Sequence, residues 1–157
     1  MNQNRRTMLK ASSGLTVLGL AVAAGLIKPN EVFAAAGYPE KAFGAKSLDE
    51  LMKALGGSMP TESKEITVIA PDIAENGAVV PVGADSKLKN TTEVALLVAN
   101  NPSMMSAQFM IPAGTEAKVN TRVKMGKSSD VYALVKADGK YYFAKKEVKV
   151  TLGGCGG

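Results

Sequence analysis

The chain has 157 residues, with 19 lysines and arginines against 14 acidic residues, no histidine, no tryptophan and a single cysteine. Without histidine, it lacks the Ser-His-Asp and Cys-His pairs that activate nucleophiles and the copper and zinc sites that need imidazole. One cysteine also excludes an intramolecular disulfide and a c-type haem attachment site. We therefore expect a protein with no catalytic residues and no metal ligands of its own.

The first 36 residues are organised like an export signal. Arg5-Arg6 precede an apolar run at 11–27, and small residues allow cleavage after Ala34 or Ala36. The arginine pair resembles the bacterial twin-arginine signal, which predicts a periplasmic protein. An uncleaved membrane anchor is the alternative, although the run has only 17 residues, at the lower limit for spanning a bilayer.

Removal of residues 1–36 changes the charge of the chain. Four basic residues and one acidic residue leave with that segment, so the formal net charge falls from +5 to +2. Beyond Lys145-Lys146 no block of basic residues remains, which disfavours nucleic-acid binding and an electrostatic membrane surface. The rest is long enough for one domain, which we place at 37–152, followed by a flexible arm at 153–157.

An amphipathic helix is expected near the start of this domain. In the stretch KSLDELMKALGG, apolar residues recur on one helix face at Leu48, Leu51, Met52 and Leu55. Ser47 is a candidate N-cap with Glu50 as its capping-box partner, and Gly56-Gly57 end the helix. Asp49 and Glu50 suit the helix dipole, an interpretation that we prefer to a catalytic carboxylate pair.

From Glu65 onward the pattern becomes that of strands. Seven segments qualify, at 65–70, 77–84, 92–99, 106–111, 114–125, 130–137 and 140–152. Pro81 marks the second segment as an edge or bulged strand, and Asp138-Gly139 is a strong hairpin signal between the last two. The pattern predicts a mainly β protein, an immunoglobulin-like antiparallel β-sandwich behind one N-terminal helix, with a small closed barrel as the alternative.

The single thiol occupies an unusual position. Cys155 stands between Gly153-Gly154 and Gly156-Gly157, although free cysteine is usually among the most buried residue types. The last strand is expected to hold the chain up to Leu152, so an extended arm places the thiol roughly 10 Å beyond it. Slim glycine flanks would let the thiol enter a narrow pocket of another protein. No cationic residue stands beside it to stabilise a thiolate, which indicates an attachment point rather than a self-sufficient nucleophile.

The leader, the β-rich domain and the arm together resemble the SoxY family, the sulfur-carrier subunits of periplasmic thiosulfate-oxidising Sox systems. The resemblance rests on the twin-arginine leader, the segment PDIAENGAVVPV at 71–82 and the ending GGCGG, and so extends over essentially the whole chain. It implies a non-enzymatic carrier that holds thiosulfate-derived intermediates on Cys155, first as an S-thiosulfonate and then as a persulfide. It also implies that the carrier needs no cofactor of its own.

The same resemblance implies several partners. A SoxZ-like β-sandwich subunit would form a heterodimer with this chain. A haem-containing enzyme would join thiosulfate to the thiol, a manganese hydrolase would release sulfate, and in some hosts a sulfane dehydrogenase would oxidise the remaining sulfur. Because the twin-arginine route carries folded cargo, pairing before export fits this leader, and no membrane association is expected after cleavage.

Two other functions remain open from the residues themselves. Cys155 would serve a structural module if it formed an intermolecular disulfide in an oxidising compartment. The second open function is a copper-binding module, because the thioether groups of methionine favour Cu(I). The methionines beyond the leader are Met52, Met59, Met104, Met105, Met110 and Met125. Only Met104-Met105 form a suggestive pair, since Met52 and Met125 fall on apolar faces that favour core packing.

Overall fold

The computed structural model describes residues 39–151, which contain two short helices followed by nine strands. The helices are α1 Glu40–Phe43 and α2 Leu48–Ala54. The strands are β1 Thr61–Glu62, β2 Ile66–Ile69, β3 Ile73–Ala74, β4 Val80–Ser86, β5 Thr91–Val98, β6 Met105–Met110, β7 Lys118–Val123, β8 Ser129–Ala137 and β9 Lys140–Val150. The seven predicted segments correspond to β2 and to β4 through β9. Strands β1 and β3 were not predicted, because two residues are too few for a periodic signal.

The strands form two sheets. The larger sheet has the order β1-β9-β8-β5-β6, with β3 also paired to β9, and the smaller sheet has the order β2-β4-β7. Pairing within residues 39–151 is antiparallel except for β1 and β3, which both run parallel to β9. The predicted mainly β, two-sheet architecture is confirmed, with nine strands instead of about seven.

Strand β5 is buried on both faces and divides the apolar interior into two clusters. Val94, Leu96 and Val98 pack in the core between the two sheets. Ala95 and Leu97 point the other way, into a second cluster shared with the helices. The continuous apolar run of this strand therefore reflects three layers, because helices cover the outer face of the larger sheet.

Helix α2 begins and ends close to the predicted positions. The Ser47 hydroxyl accepts a hydrogen bond from the Glu50 backbone N–H at 3.2 Å, which confirms the N-cap. The Glu50 carboxylate, however, accepts from the backbone N–H of Lys46 at 2.9 Å, so the reciprocal bond of a capping box is displaced by one residue. Gly56 adopts a φ of 66° and ends the helix as predicted. Within residues 39–151 no helix is long and apolar enough to cross a bilayer.

Strand β4 is the central strand of the smaller sheet, so the edge position predicted from Pro81 is wrong for the strand as a whole. The reason lies in the register. Strand β2 pairs only with Gly83–Ser86, and Pro81 has a partner on β7 alone, at Arg122. The absence of an N–H on Pro81 therefore costs no hydrogen bond to β2, because the pairing with β2 does not extend to Pro81.

The predicted β8–β9 hairpin is confirmed. Asp138 and Gly139 have φ values of 48° and 74°, and the type I′ turn needs positive φ at both central positions. Pairing continues from Ala137 opposite Lys140 to Ser129 opposite Val148. The turn thus sets the register of β9 along nearly its whole length, up to the residues that precede the arm.

Candidate functional site at the base of the C-terminal arm

The residues predicted to carry the function lie outside residues 39–151, at both ends of the chain. They are Arg5, Arg6, Gly153, Gly154, Cys155, Gly156 and Gly157. The structure describes the place from which the arm continues, namely the last residues of β9 and the loops around them. We call these residues the arm base; they comprise 72–77, 124–128 and 148–151.

The end of β9 is hydrogen-bonded on both edges. On one side, the N–H groups of Lys149 and Thr151 donate to carbonyl oxygens of Asp72 and Ala74, at 2.9 and 3.1 Å. On the other side, the N–H of Val150 donates to the Ser128 hydroxyl at 2.9 Å. Buried or paired backbone groups of this kind resist displacement. The chain is therefore held in place through Thr151, one residue short of the predicted Leu152, which lies outside the described residues.

A glycine allows the β3–β4 turn to pack beneath this strand end. The Gly77 carbonyl accepts a hydrogen bond from the Met125 N–H at 2.7 Å. A Cβ at Gly77 would lie 2.5 Å from the Met125 carbonyl oxygen and 2.9 Å from Cγ1 of Val150. Gly77 belongs to the segment 71–82 on which part of the family resemblance rests, and its role here is a close approach of three chain segments.

Two acidic side chains near the arm base are paired with lysines of β9. Asp72 lies 3.0 Å from Lys146 Nζ, and Asp130 lies 3.0 Å from Lys145 Nζ. The hydrogen bond from Lys145 to Asp130 raises the pKa of that lysine. Each lysine therefore places its ammonium group against its carboxylate partner.

A concave surface with unpaired cations opens beside the arm base. A cavity of about 440 Å³ lies between the β5–β6 and β7–β8 loops and is lined by Asn100, Asn101, Pro102, Lys124, Gly126 and Lys127. An adjoining cavity of about 420 Å³ shares Asn101, Pro102 and Lys124, and adds Arg122. Within residues 39–151, neither Lys124 nor Lys127 forms an ion pair.

The six methionines of residues 39–151 are divided between the interior and the surface: Met52 shares the cluster under the helices with Met104 and Met105, whereas Met59 and Met110 are exposed. Met104 and Met105 are 4% and 2% exposed and pack in the cluster under the helices. Met125 is equally buried but belongs to the core between the sheets, on the opposite side of the larger sheet. Core packing accounts for these residues, and the suggestive Met104-Met105 pair is part of the interior.

Several residues in the arm base or in contact with it carry no signal that sequence reasoning detects. Ser128, Asn100 and Asp72 are ordinary polar residues in loops or beside a two-residue strand. Their importance arises from hydrogen bonds to residues that are distant in the chain, such as Asn100 Nδ2 to the Ser128 carbonyl at 2.9 Å. The family resemblance at 71–82 was the one sequence feature that drew attention to part of the arm base, and it assigned no role to any residue there.

Comparisons with known proteins agree on one family. A family model described as sulfur oxidation protein SoxY matches residues 51–155. The solved structure of the sulfur carrier protein SoxY from Chlorobium limicola f thiosulfatophilum shares 39% sequence identity, with a TM-score of 0.61. That match covers 67% of this chain and 96% of the other.

A more distant solved structure and the curated proteins add little. A chain from a structure that describes the structural basis of T cell specificity and activation by the bacterial superantigen toxic shock syndrome toxin-1 is 12% identical to this chain, with a TM-score of 0.40. The match covers 55% of this chain and 98% of the other. The TM-score and the identity are too low for this match to support a conclusion. No curated protein matches this chain.

The close packing at Gly77 predicts that Gly77→Ala disturbs the arm base. Because the added methyl group would overlap the Met125 carbonyl and the Val150 side chain, we expect a loss of about 1–3 kcal/mol in the free energy of unfolding. Urea denaturation measures this loss. Gly126→Ala is the matched control, since a Cβ there meets no atom within 4 Å. Equal stability of the two variants would contradict the packing account.

Proposed function

Because the chain belongs to the SoxY family of sulfur oxidation proteins, we propose that it is a periplasmic carrier of thiosulfate-derived sulfur intermediates held covalently on Cys155. The family is one of sulfur carriers, so the chain is a substrate-bearing subunit and not an enzyme. The family match supports Cys155 in particular, because it extends through residue 155.

The geometry of the arm base supports this role physically. Strand β9 is held through Thr151, and four further residues lead to Cys155. At about 3.3–3.6 Å per extended residue, the thiol reaches up to about 14 Å from the last held residue. That length is enough to enter a recessed active site of another protein. Gly153 and Gly154 would act as the hinge, while Gly156 and Gly157 keep the far side narrow.

The proposed cycle begins with an oxidation and continues with a hydrolysis. A haem-containing partner removes two electrons as thiosulfate joins the Cys155 thiol, which loses its proton and forms an S–S bond to give the S-thiosulfonate. A manganese hydrolase then directs water to the terminal sulfone sulfur. Its bond to the inner sulfur breaks, sulfate leaves, and the persulfide stays on Cys155. A sulfane dehydrogenase, where a host has one, would oxidise that sulfur.

A SoxZ-like subunit is the proposed structural partner. Two apolar side chains beside the arm base support a protein contact there, since Ile73 and Val79 are 58% and 51% exposed. A heterodimer would cover such residues and leave the arm accessible to the enzymes. Co-expression followed by size-exclusion chromatography measures this assembly. Elution of the two chains as separate monomers would contradict it.

A structural disulfide through Cys155 is the competing function. It also uses the thiol, but it requires no thiosulfate and no exchange between enzymes. The intact mass of protein isolated from cells supplied with thiosulfate separates the two. A carrier gains S2O3 or a single sulfur on the monomer, whereas a structural module appears as a disulfide-linked pair of chains.

Cys155→Ser is expected to abolish thiosulfate oxidation in a reconstituted system. Serine retains a similar size and polarity but lacks the sulfur that forms the S–S bond to substrate. Thiosulfate-dependent electron release to the haem partner should fall to background, while the unfolding midpoint stays that of the natural protein. Full thiosulfate-dependent turnover by this variant would exclude Cys155 as the attachment site.

Replacing Gly153-Gly154 by Pro-Pro tests the hinge separately from the thiol. Proline restricts φ to about −65° and stiffens the arm. Alkylation by a small reagent should proceed at the normal rate, while turnover by partner enzymes falls by about tenfold or more because the thiol is misplaced in their sites. Ala-Ala at the same positions is the control for side-chain bulk. Normal turnover of the Pro-Pro variant would leave the thiol as the site but reject the hinge.

Export by the twin-arginine route is tested by changing Arg5-Arg6 to Lys-Lys. The charge is unchanged, but the receptor reads the arginine pair, so precursor is expected to accumulate in the cytoplasm. Cell fractionation and immunoblotting measure the distribution. Delivery to the periplasm at the natural level would indicate another route and remove the argument for folding before export.

A further inference from the structure

We infer that the cavity of about 440 Å³ beside the arm base binds the anionic sulfonate group of the adduct on Cys155 while the arm is outside a partner enzyme. We call this cavity the docking pocket; its lining residues are Asn100, Asn101, Pro102, Lys124, Gly126 and Lys127. The inference rests on the proposed carrier function, because it needs a sulfonate-bearing adduct. It adds a binding site on the carrier itself.

The charge of the docking pocket suits an anion. Lys124 and Lys127 line it, both are exposed, and neither forms an ion pair within residues 39–151. No acidic residue is among the described residues that line it. Arg122 adds a third cation in the adjoining cavity. An S-thiosulfonate ends in a fully ionised sulfonate, which is the complementary group.

The walls of the docking pocket are held by side-chain amides. Asn101 donates from Nδ2 to the Lys124 carbonyl at 2.7 Å, which ties the β5–β6 loop to the β7–β8 loop. Asn100 donates from Nδ2 to the Ser128 carbonyl at 2.9 Å. The floor stays open at Gly126, where an added Cβ would meet no atom within 4 Å. The site is therefore preformed by hydrogen bonds within the protein and has room for a ligand.

Ser128 connects the end of β9 to the wall of the docking pocket. Ser128 accepts from the Val150 N–H through its hydroxyl and from Asn100 through its carbonyl, both at 2.9 Å. Asn100 follows β5, which is separated from β9 only by β8. Two strand spacings amount to about 10 Å. The four residues from Thr151 to Cys155 span up to about 14 Å when extended, so the adduct can reach the docking pocket.

Docking would protect the adduct from unwanted reactions while the carrier moves from one enzyme to the next. The S–S bond of an S-thiosulfonate is open to attack by any thiolate that reaches it. Holding the sulfonate against Lys124 and Lys127 places that bond at the protein surface with one side covered. Because the attraction is between exposed charges, it should weaken with salt, which leaves the arm able to move into a partner enzyme.

The experiment measures how fast a small thiol removes the adduct. Tetrathionate loads the protein, since the Cys155 thiolate attacks its central S–S bond, takes up S2O3 and releases thiosulfate; intact mass confirms the gain. Release by 2-mercaptoethanol at low ionic strength is then followed. With Lys124→Gln and Lys127→Gln combined, release should become about fivefold faster, the scale expected for two exposed ionic contacts. In high salt, the natural protein should approach the variant.

Lys89→Gln combined with Lys140→Gln is the matched control, because both lysines are exposed and lie at the opposite end of the sandwich. Its release rate should equal that of the natural protein. An unchanged or slower rate in the Lys124/Lys127 variant would overturn the inference, a slower rate meaning that these lysines only attract the attacking thiolate.

A second measurement does not depend on any variant. Amide NMR shifts of Asn101 and Gly126 should differ between protein carrying the S2O3 adduct and protein alkylated with uncharged iodoacetamide. Identical shifts would overturn the inference. The carrier function is judged by turnover of Cys155→Ser with partner enzymes, whereas the docking pocket is judged by adduct lifetime in the isolated protein, so either can fail while the other stands.

Discussion

The pairing of strand β9 on both of its edges is the interaction on which the arm depends. Strand β8 pairs with it along its length, and β1 and β3 each pair with two of its residues on the other side. Without those two short strands, β9 would be a long edge strand, with unpaired groups that invite association with other chains. The short parallel pairings thus protect the edge and hold the strand through Thr151, immediately before the arm.

The charges around the arm base are distributed unevenly. Asp72 and Asp130 are paired with lysines of β9. Exposed ion pairs of this kind contribute little to folding stability. Their larger effect is local, because they neutralise carboxylates close to the place where the arm leaves the domain. The cations of Lys124 and Lys127 then remain uncompensated within the described part of the chain, on the side of β9 where the loops form a cavity.

In the proposed carrier, the domain supplies position and partner enzymes would supply the chemistry. Burial of β5 on both faces gives the larger sheet a rigid centre, with the helices on one side and the smaller sheet on the other. Buried methionines serve that packing. A carrier that visits several enzymes gains from this separation, because a rigid domain can be recognised in one orientation while a narrow arm fits different active sites.

The features that could be predicted from the sequence are those that short-range sequence patterns specify. The sequence by itself determined α2 through Ser47 and Gly56, the last hairpin through Asp138-Gly139, and the seven longer strands through their period. It also led to the family, through the twin-arginine leader, the segment at 71–82 and the ending GGCGG. Each of these features depends on neighbours within a few positions, where propensity, capping and turn chemistry act.

Only the tertiary structure decided how these elements pair. It placed β4 at the centre of a sheet despite Pro81, joined β3 to the end of β9, and brought Asn100 to Ser128 and Gly77 to Val150. The physical reason is that these contacts join residues far apart in the chain. Their energy comes from hydrogen bonds and close packing that form only after the sheets assemble, and no local periodicity encodes them.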